Sequence, residues 1–193
     1  MTLFTILILV VAYLIGSLPS AHIAGRYYGV NLRQLGDGNL GARNTYRVLG
    51  WNPAIFVGVL DISKGAFATW LASALTEDPL IPYIAALAAA IGHDFSIFIR
   101  FAGGQGMAAI LGGMLVLQPH ELLLGLGAVA LCLLILRNWD LSWSLGMGSI
   151  LVWGWHFGRP DWQLVWVAII FVSIGLKKLI DLPLVHRIRE RHP

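Results

Sequence analysis

LFTILILVVAYLIGSLPSAH, Leu3–His22, runs for 20 residues without an aspartate, glutamate, lysine or arginine. A helix needs about 20 mostly apolar residues to cross a bilayer. The run is therefore read as a spanning helix. It carries no basic n-region and no A-x-A-type cleavage site, so a retained helix is expected rather than a signal peptide. Pro19 is expected to kink its end.

Outward from this run the same pattern recurs. Further apolar stretches lie near Pro53–Leu75, Leu80–Phe101, Gly106–Leu117, His120–Leu136, Leu141–Phe157 and Trp162–Lys177. The fourth of the seven is the shortest and reads equally as a re-entrant segment. Short spans imply tilt, local thinning or burial inside the bundle. Composition agrees: of 193 residues, 58% are hydrophobic and 12% charged. Soluble domains average about 25% charged residues, enough to cover a wet surface. The fold expected is an all-α, polytopic integral membrane helix bundle of about seven spans, with five as the alternative count. No linker, low-complexity tract or repeat divides residues 1–193, so one domain is expected. The single cysteine, Cys132, lies in LGAVALCLLIL and reads as a packing residue.

The basic residues sort to one side. Arg26, Arg33, Arg43 and Arg47 follow the first span, Arg100 and Arg137 end the third and fifth, and Lys177, Lys178, Arg187, Arg189 and Arg191 follow the last. The other side holds Arg159 with Glu77, Asp78, Glu121 and Asp161. By the positive-inside rule the C-terminus is cytoplasmic and the N-terminus outside. The tryptophans, such as Trp139, Trp143, Trp153 and Trp155, suit interfacial belts and core.

Three segments that read as irregular meet the cytoplasmic side. Gly29–Gly50 holds five glycines, three asparagines and three arginines. Its amides suit an anion-binding nest, and its arginines a bidentate clamp on an oxyanion. It reads equally as a solvated positive-inside loop. FAGGQGMAA, Phe101–Ala109, precedes an apolar run, so its amides suit an anion at a helix N-terminus. Close helix packing through small residues explains the same glycines. The tail KKLIDLPLVHRIRERHP reads as a basic patch for anionic lipid. If helical, it puts His186 and Arg189 on one face, with His186 a candidate base. Within the spans, Asp61 and Lys64 lie one helical turn apart, and His93 adjoins Asp94. A charge at a helix centre costs about 2.5–3.5 kcal/mol, so Asp61 and Lys64 are read as an internal polar clasp, while His93 beside Asp94 reads equally as a clasp or as a functional group.

Four segments together, GSLPSAHIAGR, LGDGNLGARNTYRVLG, LDISKGA and GHDFSIFIRFAGGQGMAA, resemble the acyl-phosphate-dependent glycerol-3-phosphate acyltransferases of bacterial membranes, the PlsY family. The resemblance covers most of the chain. It implies a seven-span membrane enzyme that moves an acyl group from acyl phosphate to the 1-hydroxyl of glycerol 3-phosphate, giving lysophosphatidic acid for phospholipid synthesis. It also implies a bacterial inner membrane, an active site facing the cytoplasm, and membrane lipid, acyl donor and a small acceptor as partners. No cofactor, metal or nucleic acid is implied; acyl phosphate is a co-substrate.

Residue by residue, Gly36, Gly38, Asn39, Gly41, Asn44, Arg47 and Gly50 match the first long motif, and Gly103, Gly104 and Gly106 the last. The implied catalytic set is His186, Asn39 and Asp37. The implied phosphate set is Arg47, Arg43, Asn44, Gly103, Gly104, Gln105, Gly106 and Arg189. Asp37 replaces a serine, Arg43 a threonine, Gln105 and Ala102 lysines, and Arg189 an asparagine. Asp140 aligns with a phosphate-contacting serine. A carboxylate only accepts hydrogen bonds and carries charge. Two like unit charges at about 4 Å repel by roughly 4 kcal/mol at an effective dielectric near 20. Asp37 is therefore expected to weaken a phosphate site, unless Arg43 neutralises it. A different acceptor, or a non-catalytic lipid- or solute-binding relative, is the alternative.

Overall fold

A computed structural model describes residues 2–191; the side chains of Arg189 and Arg191 lie outside what it describes. Among the described residues there are nine α-helices, two short 3-10 turns and no strand. They are α1 Leu3–Gly16, α2 Ser20–Tyr27, α3 Ala42–Leu49, α4 Trp51–Leu75, α5 Ile81–Asp94, α6 Met107–Leu117, α7 Pro119–Leu136, α8 Trp139–His156 and α9 Asp161–Arg191.

All seven apolar stretches fall mainly on helices, although the third, Leu80–Phe101, leaves α-helix after Asp94. Five helical stretches are long and apolar enough to cross a membrane: Leu3–Tyr27, Trp51–Leu75, Ile81–Ile99, Pro119–Leu136 and Asp161–Ile188. α6, at 11 residues, reaches only about 16 Å at 1.5 Å per residue, half a hydrocarbon core of about 30 Å. α8 has 18 residues, but its serines, glycines, tryptophans and Asp140 lower its hydropathy.

Two expectations need correction. The first span is not one helix: α1 ends at Gly16, and α2 restarts at Ser20 behind Pro19. The expected kink is a break, because proline has no N–H to continue the ladder. The segments read as irregular are partly helical: α3 forms over Ala42–Leu49 inside Gly29–Gly50, and the tail is not irregular either. α9 runs unbroken for 31 residues to Arg191, with Pro183 inside it.

Small residues set how closely the helices pack. A methyl built on Gly16 or Gly92 of the α1–α5 contact would run into main-chain atoms of Ala89 or Tyr13. Gly65 and Gly112 bring α4 and α6 together in the same way, against Ala109 and Ile62. Alanines fill the seam between α1, α4 and α5, with Ala12, Ala68, Ala72, Ala85 and Ala89 all buried. Large apolar side chains such as Leu3, Leu7, Phe67, Val172 and Leu176 point outward. Lipid supplies no hydrophobic drive between helices, so close van der Waals contact through small residues holds the bundle.

Candidate active site

The break between α1 and α2 leaves main-chain carbonyls that no helix can use. The Leu18 carbonyl accepts from Lys64 Nζ of α4 at 2.9 Å. The Ser17 carbonyl accepts from Ser96 Oγ, just beyond α5, at 2.5 Å. Non-helical backbone at this depth must be satisfied by protein, and these side chains do so.

Lys64 is itself held by Asp61, whose Oδ1 lies 2.9 Å from Nζ. The same oxygen accepts from Ser20 Oγ at 2.5 Å and lies 3.5 Å from His93 Nδ1. Asp61 is wholly buried, and Ser20, Lys64 and His93 nearly so. The expected Asp61–Lys64 clasp is therefore present, and Ser20 and His93 join it from other helices, which sequence reasoning missed. A narrow cavity of about 10 Å³ lies among Ser17, Ser20, Lys64, His93, Ser96 and Gly104. A water needs roughly 10–15 Å³, so no organic substrate fits inside. The cluster is a floor beneath the glycine loop.

That loop is folded onto His93. The Gly104 amide donates to the His93 carbonyl at 3.0 Å, and the Gly103 amide to the Asp94 carbonyl at 3.1 Å. These two amides, read as anion donors, are already spent, and the close-packing explanation holds for both glycines. The amides of Gln105, Gly106 and Met107 make no main-chain hydrogen bond among the described residues. They stand at the start of α6, where Gly106 takes a left-handed φ of 66° that glycine allows without strain. Free donors at a helix N-terminus favour an anion.

Arg33 joins the three segments. Its Nη1 donates to the Gly38 carbonyl at 3.1 Å and to the Gly103 carbonyl at 3.2 Å. Its Nη2 lies 3.4 Å from Asp181 of α9. Asp181 is also paired with buried Lys177 at 2.6 Å. Arg33→Met should cost about 1.5–3 kcal/mol, the worth of hydrogen bonds made by a charged group. It should lower the melting temperature in detergent and raise KM for any anionic substrate. An unchanged KM and melting temperature would show that the segments do not depend on this tie.

The arginine pairing differs from expectation. Asp37 pairs with Arg47, not Arg43, at 2.5 Å, while its other oxygen accepts from the Asn39 amide at 3.1 Å. Arg43 instead meets Asp140 at 3.3 Å, where Lys178 also lies at 3.1 Å. Partial burial lifts the Asp140 carboxyl, but Lys178 and Arg43 outweigh it and hold it below its ordinary range. Asn44 is buried and works inside the loop. Its Nδ2 donates to the Leu32 and Leu35 carbonyls, both at 3.0 Å, and its Oδ1 accepts from the Asp37 amide at 2.9 Å. Both its donors are used, so none is left for phosphate.

Three acceptors near this end of the bundle are buried without partners among the described residues: Asn39 Oδ1, Asp61 Oδ2 and Asp94 Oδ1. Gln105 is half-buried and makes no side-chain hydrogen bond among the described residues. His186 is exposed on α9. Leu184 and Ile188, on either side of it, pack against Gly38. At 100° per residue His186 points away from that contact. The side chain of Arg189 lies outside the described atoms.

The family model described as "Glycerol-3-phosphate acyltransferase" matches residues 6–181. A glycerol-3-phosphate acyltransferase of Thermus thermophilus is 37% identical over 167 residues, covering 86% of this chain and 83% of that protein. Glycerol-3-phosphate acyltransferase 2 of Bacillus anthracis is 34% identical over 183 residues, covering 94% and 91%. The crystal structure of PlsY (YgiH), an integral membrane glycerol 3-phosphate acyltransferase, in its glycerol 3-phosphate form superposes with a TM-score of 0.84 at 27% identity. It covers 93% of this chain and 90% of that one. The lysophosphatidic acid form gives 0.81 at 26% identity, covering 95% and 93%.

Proposed function

The chain belongs to the glycerol-3-phosphate acyltransferase family and is an integral membrane acyltransferase, and on that premise we propose how it works. The acceptor is glycerol 3-phosphate and the donor an acyl phosphate, with lysophosphatidic acid and inorganic phosphate as products. The acceptor hydroxyl attacks the acyl carbonyl. A new ester C–O bond forms and the bond from acyl carbon to phosphate oxygen breaks. The leaving phosphate takes the hydroxyl proton, so the reaction needs no side-chain base, metal or cofactor. His186, exposed and turned from the loop, is then a residue of the basic tail. The site faces the cytoplasm at the inner membrane of a bacterium, as the one-sided arginines favour.

The observation that carries this reading is the tie at Arg33. It draws Gly38, Gly103 and α9 around one spot at the membrane edge. There the amides of Gln105, Gly106 and Met107 suit the oxyanion that develops on the attacked carbonyl. Arg47 is the acceptor's phosphate partner, and the phosphate competes with Asp37 for it.

That exchange has a measurable consequence. The Asp37–Arg47 pair is 22% and 43% exposed. Exposed pairs are worth about 0–1 kcal/mol. Asp37→Ala should therefore cost only about 1 kcal/mol of stability, mainly the hydrogen bond to the Asn39 amide, and lower KM for glycerol 3-phosphate by up to about fivefold. A KM that rises would give Asp37 a direct part in holding the acceptor. The reading as a whole is tested with purified protein in lipid nanodiscs. Palmitoyl phosphate and glycerol 3-phosphate should yield lysophosphatidic acid by mass, and palmitoyl-CoA should not replace the donor. No product from either donor would overturn it.

A further inference from the structure

A second, larger cavity lies at the opposite end of the bundle. α6 leads away from the glycine loop, α7 returns, and α8 leads away again. The α6–α7 and α8–α9 corners therefore meet far from Gly104. Between them is an open cavity of about 700 Å³, within the roughly 300–1,000 Å³ usual for ligand pockets. Nothing in the proposed acyl transfer uses it.

Its lining combines two chemistries. Glu121 is wholly buried, and its Oε1 accepts from Arg159 Nε at 2.5 Å. Its Oε2 has no hydrogen-bond partner among the described residues, and Gln163 Oε1 on the same wall is also buried and unpartnered. The two terminal nitrogens of Arg159 make no hydrogen bond among the described residues, and its side chain is 32% exposed. Leu123, Leu124 and Phe157 line the cavity too, and all three are exposed on the outside of the bundle.

Buried acceptors without donors are costly, and a carboxylate oxygen most of all. The missing partner must bring N–H or O–H groups. Arg159 offers a bidentate fork that fits phosphate. The ion pair is neutral overall, so the fitting ligand carries both signs. Exposed leucine and phenylalanine beside these groups call for an apolar tail. We propose that this corner seats the headgroup of an aminophospholipid. A turn of the Glu121 and Gln163 side chains, whose Oε2 and Oε1 are covered in this structure, lets the lipid's primary ammonium donate to both; its phosphate lies on the Arg159 nitrogens, and its chains run along Leu123 and Leu124. A quaternary choline headgroup has no N–H to give and leaves both acceptors unpaired.

The test uses nanodiscs of palmitoyl-oleoyl phosphatidylethanolamine and phosphatidylcholine in equal amounts. After a brief detergent wash, lipid retained by the protein is measured by mass. The ethanolamine lipid should be enriched about tenfold over the bulk ratio, a difference of roughly 1.4 kcal/mol. Gln163→Leu, which leaves the Glu121–Arg159 pair intact, should bring the ratio back to near that of the bulk with the melting temperature unchanged. A hundredfold excess over total lipid of soluble glycerophosphoethanolamine should leave the bound lipid in place. A bulk ratio on the unsubstituted protein overturns the proposal, as does enrichment that survives Gln163→Leu. Displacement by the soluble headgroup overturns the assignment to a lipid.

Discussion

Asp61→Leu is expected to destabilise the protein by about 3–5 kcal/mol, the cost of leaving one partner of a buried ion pair alone. Lys64 would keep the Leu18 carbonyl and lose its only counter-charge within contact among the described residues. Ser20 would lose its acceptor as well. That second loss is minor, because interhelical hydrogen bonds in membranes average about 0.6 kcal/mol. The unpaired ammonium decides the outcome. The check is a double substitution. Asp61→Leu with Lys64→Met removes both charges and should recover part of the stability, since apolar replacements of buried pairs are often neutral or better, less about 1–3 kcal/mol for the Leu18 carbonyl left without its donor. Unfolding midpoints in detergent titrated with denaturant give both numbers. A double variant no more stable than Asp61→Leu alone would mean that the pair is not what holds the break. Acyl transfer should stay low in both, because neither restores the floor beneath Gly104.

The sequence made this pair legible and hid its surroundings. Asp61 and Lys64 are three residues apart on one helix, so their meeting follows from helical geometry alone. Ser20 and His93 come from other helices and reach Asp61 only through packing. Arg33 was invisible for the same reason: its partners Gly103 and Asp181 lie 70 and 148 residues away. The apolar runs announced the bundle because length in lipid is a local property. The tail was misjudged because its basic composition resembles a surface segment. Inside α9, however, Lys177 finds Asp181 one turn later, and both are buried. The motif glycines were legible as a group, yet their division of labour was not. Gly103 and Gly104 are needed for close approach, Gly106 for its left-handed turn. Which arginine would neutralise Asp37 also depended on the fold. Arg47, one helical turn beyond Arg43 on α3, takes that place, and Arg43 turns to Asp140.

Gly104→Ala is the second large effect, and it separates packing from chemistry. A methyl there would lie 2.7 Å from the Leu40 carbonyl oxygen and closer still to His93 Nε2. Leu40 is main chain and gives way only if its loop moves. His93 gives way only by leaving Asp61 Oδ1, now 3.5 Å from its Nδ1. Either way the glycine loop lifts off its floor, carrying the free amides of Gln105 and Gly106 with it. Overpacking of this kind costs about 1–3 kcal/mol. A misplacement of about 1 Å at a reacting centre costs on the order of 100-fold in rate. The expected result is a kcat near one hundredth of the unsubstituted value in a protein that still folds. Gly127→Ala is the control. No atom lies within 4 Å of the added methyl, and a helical alanine gains about 0.5–1 kcal/mol over glycine. It should be at least as stable as the unsubstituted protein and fully active. If Gly104→Ala keeps its kcat, the amides ahead of α6 do not act on the reacting carbonyl. The oxyanion would then need donors elsewhere.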